Sequence, residues 1–180
     1  MNLSEQFVAF MTIVRKEITR YLRIWTQTLL PSAITMSLYF VIFGSLIGSR
    51  IGDMGGFTYM QFVVPGLIMM AIVTNSYSNV VSSFFGSKFS HSVEELLVSP
   101  VSNFVILMGY VVGGVSRGLL VAVVVTLVSL FFTHLHIYSY LVVVVVVLMT
   151  STLFALAGFI NAVFANNFDD ISIIPTFVLT

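Results

Sequence analysis

Apolar residues recur near the start of the chain in a 4-3-4-3-4 rhythm: Phe7, Met11, Val14, Ile18, Tyr21 and Trp25. At about 100° per residue these positions form one stripe. Glu5, Thr12, Lys16, Thr19 and Arg23 fall on the opposite side. The pattern predicts an amphipathic helix over residues 5–25. An apolar face with aromatics and a basic polar face suit the plane of a membrane interface. Arg15, Lys16, Arg20 and Arg23 are its candidate headgroup-facing residues.

The rhythm then gives way to long uncharged runs. No charge occurs from Ile24 to Ser49, and Pro31 suits the first turn of a helix, so a span over residues 29–48 is expected. The stretch GSRIGDMGG, with Arg50 and Asp53, reads as a short exposed loop. Met54 to Ser87 is again uncharged and predicts a second span over 58–82, with Pro65–Gly66 as a kink site. A third span over 103–132 is broken only by Arg117, and a fourth over 139–160 contains a run of valines. Valine runs favour strands in water, but an isolated strand in lipid leaves its backbone unpaired, so a helix is expected. Asp169 and Asp170 stand where they would cap the next helix, and residues 171–180 read as the start of a fifth span. Ten residues fall short of the roughly 20 needed to cross a hydrocarbon core. The chain is therefore expected to be a C-terminally truncated part of one transmembrane domain covering residues 1–180.

Composition strengthens the membrane reading. Hydrophobic residues make up 58% and charged residues 8%, against roughly 25% charged in soluble domains. Mean hydropathy is +1.08. The absence of cysteine excludes disulfides, thiolate metal sites and cysteine catalysis. A net charge of zero gives nucleic acid nothing to bind. Charges recur through the first 25 residues, so they do not form a cleavable signal peptide. With the N-terminus in the cytoplasm, the inside segments hold Arg15, Lys16, Arg20, Arg23 and Lys88, and the outside segments hold Arg50 alone. That bias fits the positive-inside rule.

One segment interrupts the apolar blocks: SKFSHSVEELLVSP, residues 87–100. Ser92 followed by Glu95 matches a capping box, and both Glu94 and Glu95 would lie in a first helical turn. Pro100 biases Ser99 away from helical angles. A short helix over about 92–99 is expected, with Val93, Leu96 and Leu97 on an apolar edge. Elsewhere, Arg117 either snorkels to headgroups, pairs with an acid of this segment or meets an acidic substrate. Gly109/Gly113, Gly114/Gly118 and Gly44/Gly48 allow close helix approach, within the chain or to a second copy. In TNSYSN, residues 74–79, Asn75 and Asn79 share a helix face, as packing polarity or as the lining of a pathway. His134 and His136 lack a third ligand nearby and read as an exposed loop. There is no phosphate-binding loop, so ATP is not hydrolysed by this chain, and there is no His-Glu-x-x-His.

The order of parts is an amphipathic basic helix, two spans, HSVEELLVSPVS, a long third span and a fourth. This order resembles the permease subunits of type-2 class ABC exporters, with EELLVSPVS the closest match. The resemblance implies an all-α polytopic membrane bundle of six spans, of which four and the start of a fifth are present. It implies that residues 88–99 form a coupling helix that docks on a separate ATP-binding subunit, with Lys88, His91, Glu94, Glu95 and Leu96 as contact residues. It makes the N-terminal helix an interface helix. It places the protein in the inner membrane as a multi-pass permease with a cytoplasmic N-terminus. ATP and Mg would be bound by the partner ATPase, no cofactor by this chain, and a second permease copy, as a homodimer, and membrane lipid would be the other partners. Two competing readings are a membrane enzyme acting on a lipid or lipid-linked substrate and a non-catalytic assembly protein.

Overall fold

The computed structural model describes residues 2–48, 53, 54, 56–133 and 138–178. Arg50, His134 and His136 lie outside the described residues. The fold is an all-α bundle with one very short hairpin.

Helix α1 (Leu3–Arg23) opens with Asn2 as its cap, whose N–H donates to Glu5 Oε2 at 2.9 Å. It ends at Ile24, and α2 (Trp25–Thr28) and α3 (Leu30–Val41) follow with one irregular residue between them. Buried Thr28 bridges the break, its hydroxyl within 3.3 Å of the Tyr21 carbonyl and 3.2 Å of the Ile24 carbonyl. Pro31 occupies the first turn of α3, where no N–H is needed. The helix widens into π-type turns over Ile42–Ile47. Strands β1 (Asp53–Met54) and β2 (Phe57–Thr58) then pair antiparallel, Asp53 opposite Thr58, with Gly56 in the turn at φ +87°.

Helix α4 (Tyr59–Phe89) is 31 residues long, about 46 Å at 1.5 Å per residue, and extends seven residues beyond the span expected from the sequence. The short helix α5 (Ser92–Val98) turns the chain into α6 (Asn103–Ser129), which is followed by α7 (Tyr140–Phe164) and α8 (Phe168–Val178). Asp170 caps α8, its Oδ2 accepting from the N–H groups of Asn166 and Asn167 at 2.9 and 3.1 Å. The valines of α7 are helical, and Val142 to Val146 are exposed, as lipid-facing residues would be. Among the described residues four stretches are long and apolar enough to cross a membrane: Trp25–Gly44, α4, α6 and α7.

Helix α4 is the hub, packed on both α6 and α7. Glycines decide how closely. A Cβ on Gly158 of α7 would sit 2.6 Å from the Tyr77 carbonyl oxygen, so the two backbones touch at this point. Gly114 and Gly118 of α6 face Val80 and Ser76 of α4, whereas Gly109 and Gly113 face Ile13 and Glu17 of α1. The two glycine pairs therefore serve two different neighbours within the chain.

Two apolar cores result. One, near α5, gathers Tyr77, Val80, Phe84, Phe85, Ile106, Tyr110, Ala155 and Ala162. The other gathers Met36, Phe40, Val64, Leu67, Val121 and Val125. Asn75 and Ser76 on α4, and Arg117 on α6, lie in sequence between the residues of the two cores.

Candidate functional site: a braced short helix and the polar seam behind it

Helix α5 is held at its root rather than left as a linker. The sequence reading placed a capping box at Ser92 and Glu95, and the structure corrects it. The cap residue is His91, the one non-glycine with positive φ (58°) among the described residues. Ser92 instead donates from Oγ to the carbonyl of Ser87 at 3.1 Å, and Ser90 Oγ reaches the same carbonyl at 3.3 Å. Glu94 pairs with His91 Nδ1 at 2.7 Å. The αL turn at His91 folds α5 back so that Ser92 meets the last turn of α4 rather than its own first turn.

The neighbouring elements brace this corner. Tyr110 of α6 donates to Ser87 Oγ at 3.2 Å. Gln6 of α1 donates to the Pro100 carbonyl at 3.2 Å and accepts from the Ser102 N–H at 3.1 Å. Lys88 donates from Nζ to the carbonyls of Val163 and Ala165 at 2.8 and 2.7 Å, satisfying the C-terminal end of α7. Phe168 of α8 stacks edge-on to Phe85 and Phe89, each at 5.0 Å.

These contacts divide the expected contact residues. His91, Glu94 and Glu95 are exposed. Lys88 is half-buried in the last turn of α4, with its ammonium turned to the end of α7. Leu96 packs partly buried against the core. The exposed apolar residues of α5 are instead Leu97, at 60% exposure, and Val98, at 87%. Val98 was missed, and its position just before Ser99–Pro100, past the last full turn, is the signal that marks it as unshielded.

Behind α5 a ladder of buried polar residues runs up α4 at four-residue spacing: Ser87, Ser83, Asn79 and Asn75. That is about 18 Å of helix. Ser87 meets Tyr110, as described. Ser83 donates to Glu17 Oε1 at 2.6 Å. Asn79 Oδ1 accepts from Arg20 at 2.8 Å, and its carbonyl accepts from the same guanidinium at 3.1 Å. Asn75 Oδ1 accepts from Arg117 at 3.1 Å, while its Nδ2 donates to Ser32 Oγ at 3.2 Å and to the Ala71 carbonyl at 2.9 Å. Arg20 also pairs with Glu17 Oε2 at 3.1 Å.

Asn75 and Asn79 do share a face. Arg117 neither snorkels free nor meets an acid of the α5 segment: its partner is Asn75. Arg20 is turned inward, so the basic surface of α1 is Arg15, Lys16 and Arg23, with Lys16 Nζ 6.0 Å from the Tyr110 ring centroid. Glu17, fully buried, was missed as a site residue. Its signal was its place between Val14 and Tyr21 in the buried stripe, since 14, 17 and 21 share a helix face.

The packing face of α1 is accordingly rotated from the expected stripe. Ile13, Val14, Glu17 and Tyr21 are buried, while Phe7, Met11 and Trp25 are 63%, 48% and 53% exposed. Gly109 and Gly113 make the groove that selects this face, and Tyr21 Oη donates to Ser116 Oγ at 3.3 Å further along. From Ile13 to Tyr21 the helix runs alongside α6 in the same direction.

An all-α bundle with four apolar membrane-length stretches, turned at one end by a braced short helix, defines a polytopic membrane protein. The profile of the ABC-2 type transporter family matches residues 8–180, and the chain belongs to that family. It is 60% identical over 174 residues to the inner membrane transport permease YadH of Escherichia coli K12, covering 97% of this chain and 68% of that protein. The YadH of Shigella flexneri matches to the same extent. No solved structure matches. The protein is thus a type-2 ABC transport permease, a multi-pass inner membrane protein.

Proposed function

We propose that this chain is the membrane half of an ATP-driven exporter, and that α5 is the element through which a separate ATP-binding subunit moves it. The observation that carries this reading is the contrast within α5. One side is bonded to α4 and abuts segments tied to α1 and α6, while His91, Glu94, Glu95, Leu97 and Val98 remain uncovered. A stiff, rooted helix transmits displacement to the spans, and a flexible loop does not. The uncovered surface combines an acidic pair with an apolar tip, the mixed character of a protein contact.

In this reading ATP and Mg²⁺ are held by the partner, whose nucleotide-driven closure is delivered at α5. The cytoplasmic N-terminus follows from the lysine and arginine bias. The uncovered Phe7 and Met11 of α1 take the inner lipid interface, with Arg15, Lys16 and Arg23 toward headgroups. A second permease copy completes the two-fold pathway.

The test is co-purification of the full-length permease with the ATPase expressed beside it. Leu97→Asp with Val98→Asp, and separately Glu94→Lys with Glu95→Lys, are expected to release the ATPase while leaving the permease's thermal stability near wild type. Undiminished ATPase recovery and transport in both variants would refute the role given to α5.

A further inference from the structure

Asn79 is fully buried and its orientation is fixed, because Oδ1 accepts from Arg20. Its Nδ2 therefore points elsewhere, and it finds no acceptor among the described residues. Arg20 Nε and Arg117 Nε are buried and equally without one. The three donors belong to adjacent rungs of the ladder. Arg20 sits on Asn79 and Arg117 on Asn75, one helical turn or about 5.4 Å apart along α4.

Charge points the same way. The two guanidiniums carry like charge and bond to asparagines one turn apart on the same face of α4. The carboxylate paired with Arg20 is Glu17, and both of its oxygens are taken, Oε1 by Ser83 and Oε2 by Arg20. Arg117 has Asn75 but no carboxylate as a partner among the described residues, and the nearby charges on the outer side of α1 (Arg15, Lys16 and Arg23) are basic. Water would accept from the unpaired N–H groups but would leave the excess positive charge unanswered. An oxyanion answers both, since it offers several acceptor oxygens that match the guanidinium fork. The Arg20 side chain keeps 29% exposure and Arg117 is half-buried, so a phosphate group would approach from the guanidinium side.

We propose that Arg20, Arg117 and Asn79 form a binding site for a phosphate group between α1, α4 and α6. The phosphate is carried either by an anionic phospholipid headgroup or by a soluble or cargo phosphate. This site is independent of the contact assigned to α5.

The experiment places the full-length protein in nanodiscs of phosphatidylglycerol or of phosphatidylcholine. Retained phosphatidylglycerol is counted by native mass spectrometry, and inorganic phosphate is titrated calorimetrically in the phosphatidylcholine discs. Wild type is expected to bind in at least one arm. Arg117→Gln should weaken that binding about tenfold or more, the loss of one charge-assisted contact, and Arg117→Lys should recover part of it. Binding confined to the lipid arm identifies a headgroup site, and binding of inorganic phosphate identifies a site for soluble or cargo phosphate. Asn79→Asp, which keeps an acceptor for Arg20 while adding an anion, is the second variant and should abolish binding even if Arg117→Gln proves unstable. No binding in either arm, or equal binding by wild type and both variants, overturns the proposal.

Discussion

Removing the Glu17 carboxylate should be the most damaging single change in α1. Glu17 is fully buried and anchors two charge-assisted hydrogen bonds, from Ser83 at 2.6 Å and from Arg20 at 3.1 Å. Such bonds contribute about 1.5–3 kcal/mol each when nothing replaces them. The Ser83 bond is buried and carries that full value. The Arg20 bond is discounted to about 1 kcal/mol, because Arg20 keeps Asn79 and 29% of its side chain reaches solvent. Glu17→Ala should therefore cost about 3 kcal/mol, more than a hundredfold in the folding equilibrium. Glu17→Gln, which keeps the shape and one acceptor, should cost about 1 kcal/mol. The assay is equilibrium unfolding in mixed detergent micelles, followed by the fluorescence of Trp25, the single tryptophan, which lies just beyond α1. A double-mutant cycle with Arg20→Ala should return a coupling of about 1 kcal/mol. If Glu17→Ala lies within about 0.5 kcal/mol of wild type and the cycle shows no coupling, the seam is not a stabilising element and its hydrogen bonds do not bear on how α1 is held.

Three further changes probe the packing around the seam. Gly158→Ala should destabilise by about 1–3 kcal/mol, since its Cβ would meet the Tyr77 carbonyl oxygen at 2.6 Å and backbone cannot yield as a side chain does. Gly86→Ala, with nothing within 4 Å of its Cβ, should be neutral or stabilising by up to about 1 kcal/mol, and equal melting temperatures for the two would contradict the close approach of α4 and α7. Lys88→Met should free the Val163 and Ala165 carbonyls and raise amide hydrogen exchange at the end of α7 and the start of α8, with α1 unchanged; protection equal to wild type would show that Lys88 is not the cap.

Much of this arrangement was legible in the chain because charge is so sparse. Each uncharged run became a membrane-length helix, since lipid leaves the backbone no other way to pair. The boundaries were less legible. The sequence reading ended the second span at residue 82 by hydropathy, but α4 continues to Phe89 because Lys88 finds carbonyls on α7, a partner 75 residues away. The cap of α5 was misplaced because Ser92 has two possible uses, and only the left-handed turn at His91 decides between them. Glu17 was hidden by company: Arg15, Lys16 and Arg20 around it read as a solvated face. Its burial depends on Gly113, almost a hundred residues later, whose missing Cβ makes room for it. The four-residue recurrence of polar residues from Asn75 to Ser87 was on the page throughout and extends the asparagine pair that the sequence reading singled out.

That recurrence has a mechanical meaning on the proposed reading. A purely apolar interface between long helices tolerates sliding, because one methyl group replaces another at little cost. A polar ladder does not. If α4 shifted by one residue against α1 and α6, Ser87, Ser83, Asn79 and Asn75 would lose Tyr110, Glu17, Arg20 and Arg117 together. Interhelical hydrogen bonds in membranes contribute about 0.6 kcal/mol on average and up to about 1.7. Four rungs lost at once therefore resist slippage by about 2–7 kcal/mol, before the glycine contacts are counted. The helices α1, α4 and α6 then move as one body, and Ser87 belongs both to the ladder and to the root of α5. A push on α5 is delivered to that body as a whole. Helix α7 joins α4 differently, through the Gly158 contact, the Asn161–Tyr77 bond at 2.7 Å and the Lys88 cap, and its outer face is valine. Its two polar side-chain links equal those that α1 and α6 each make to α4, and with the backbone contact at Gly158 they tie α7 to the same body.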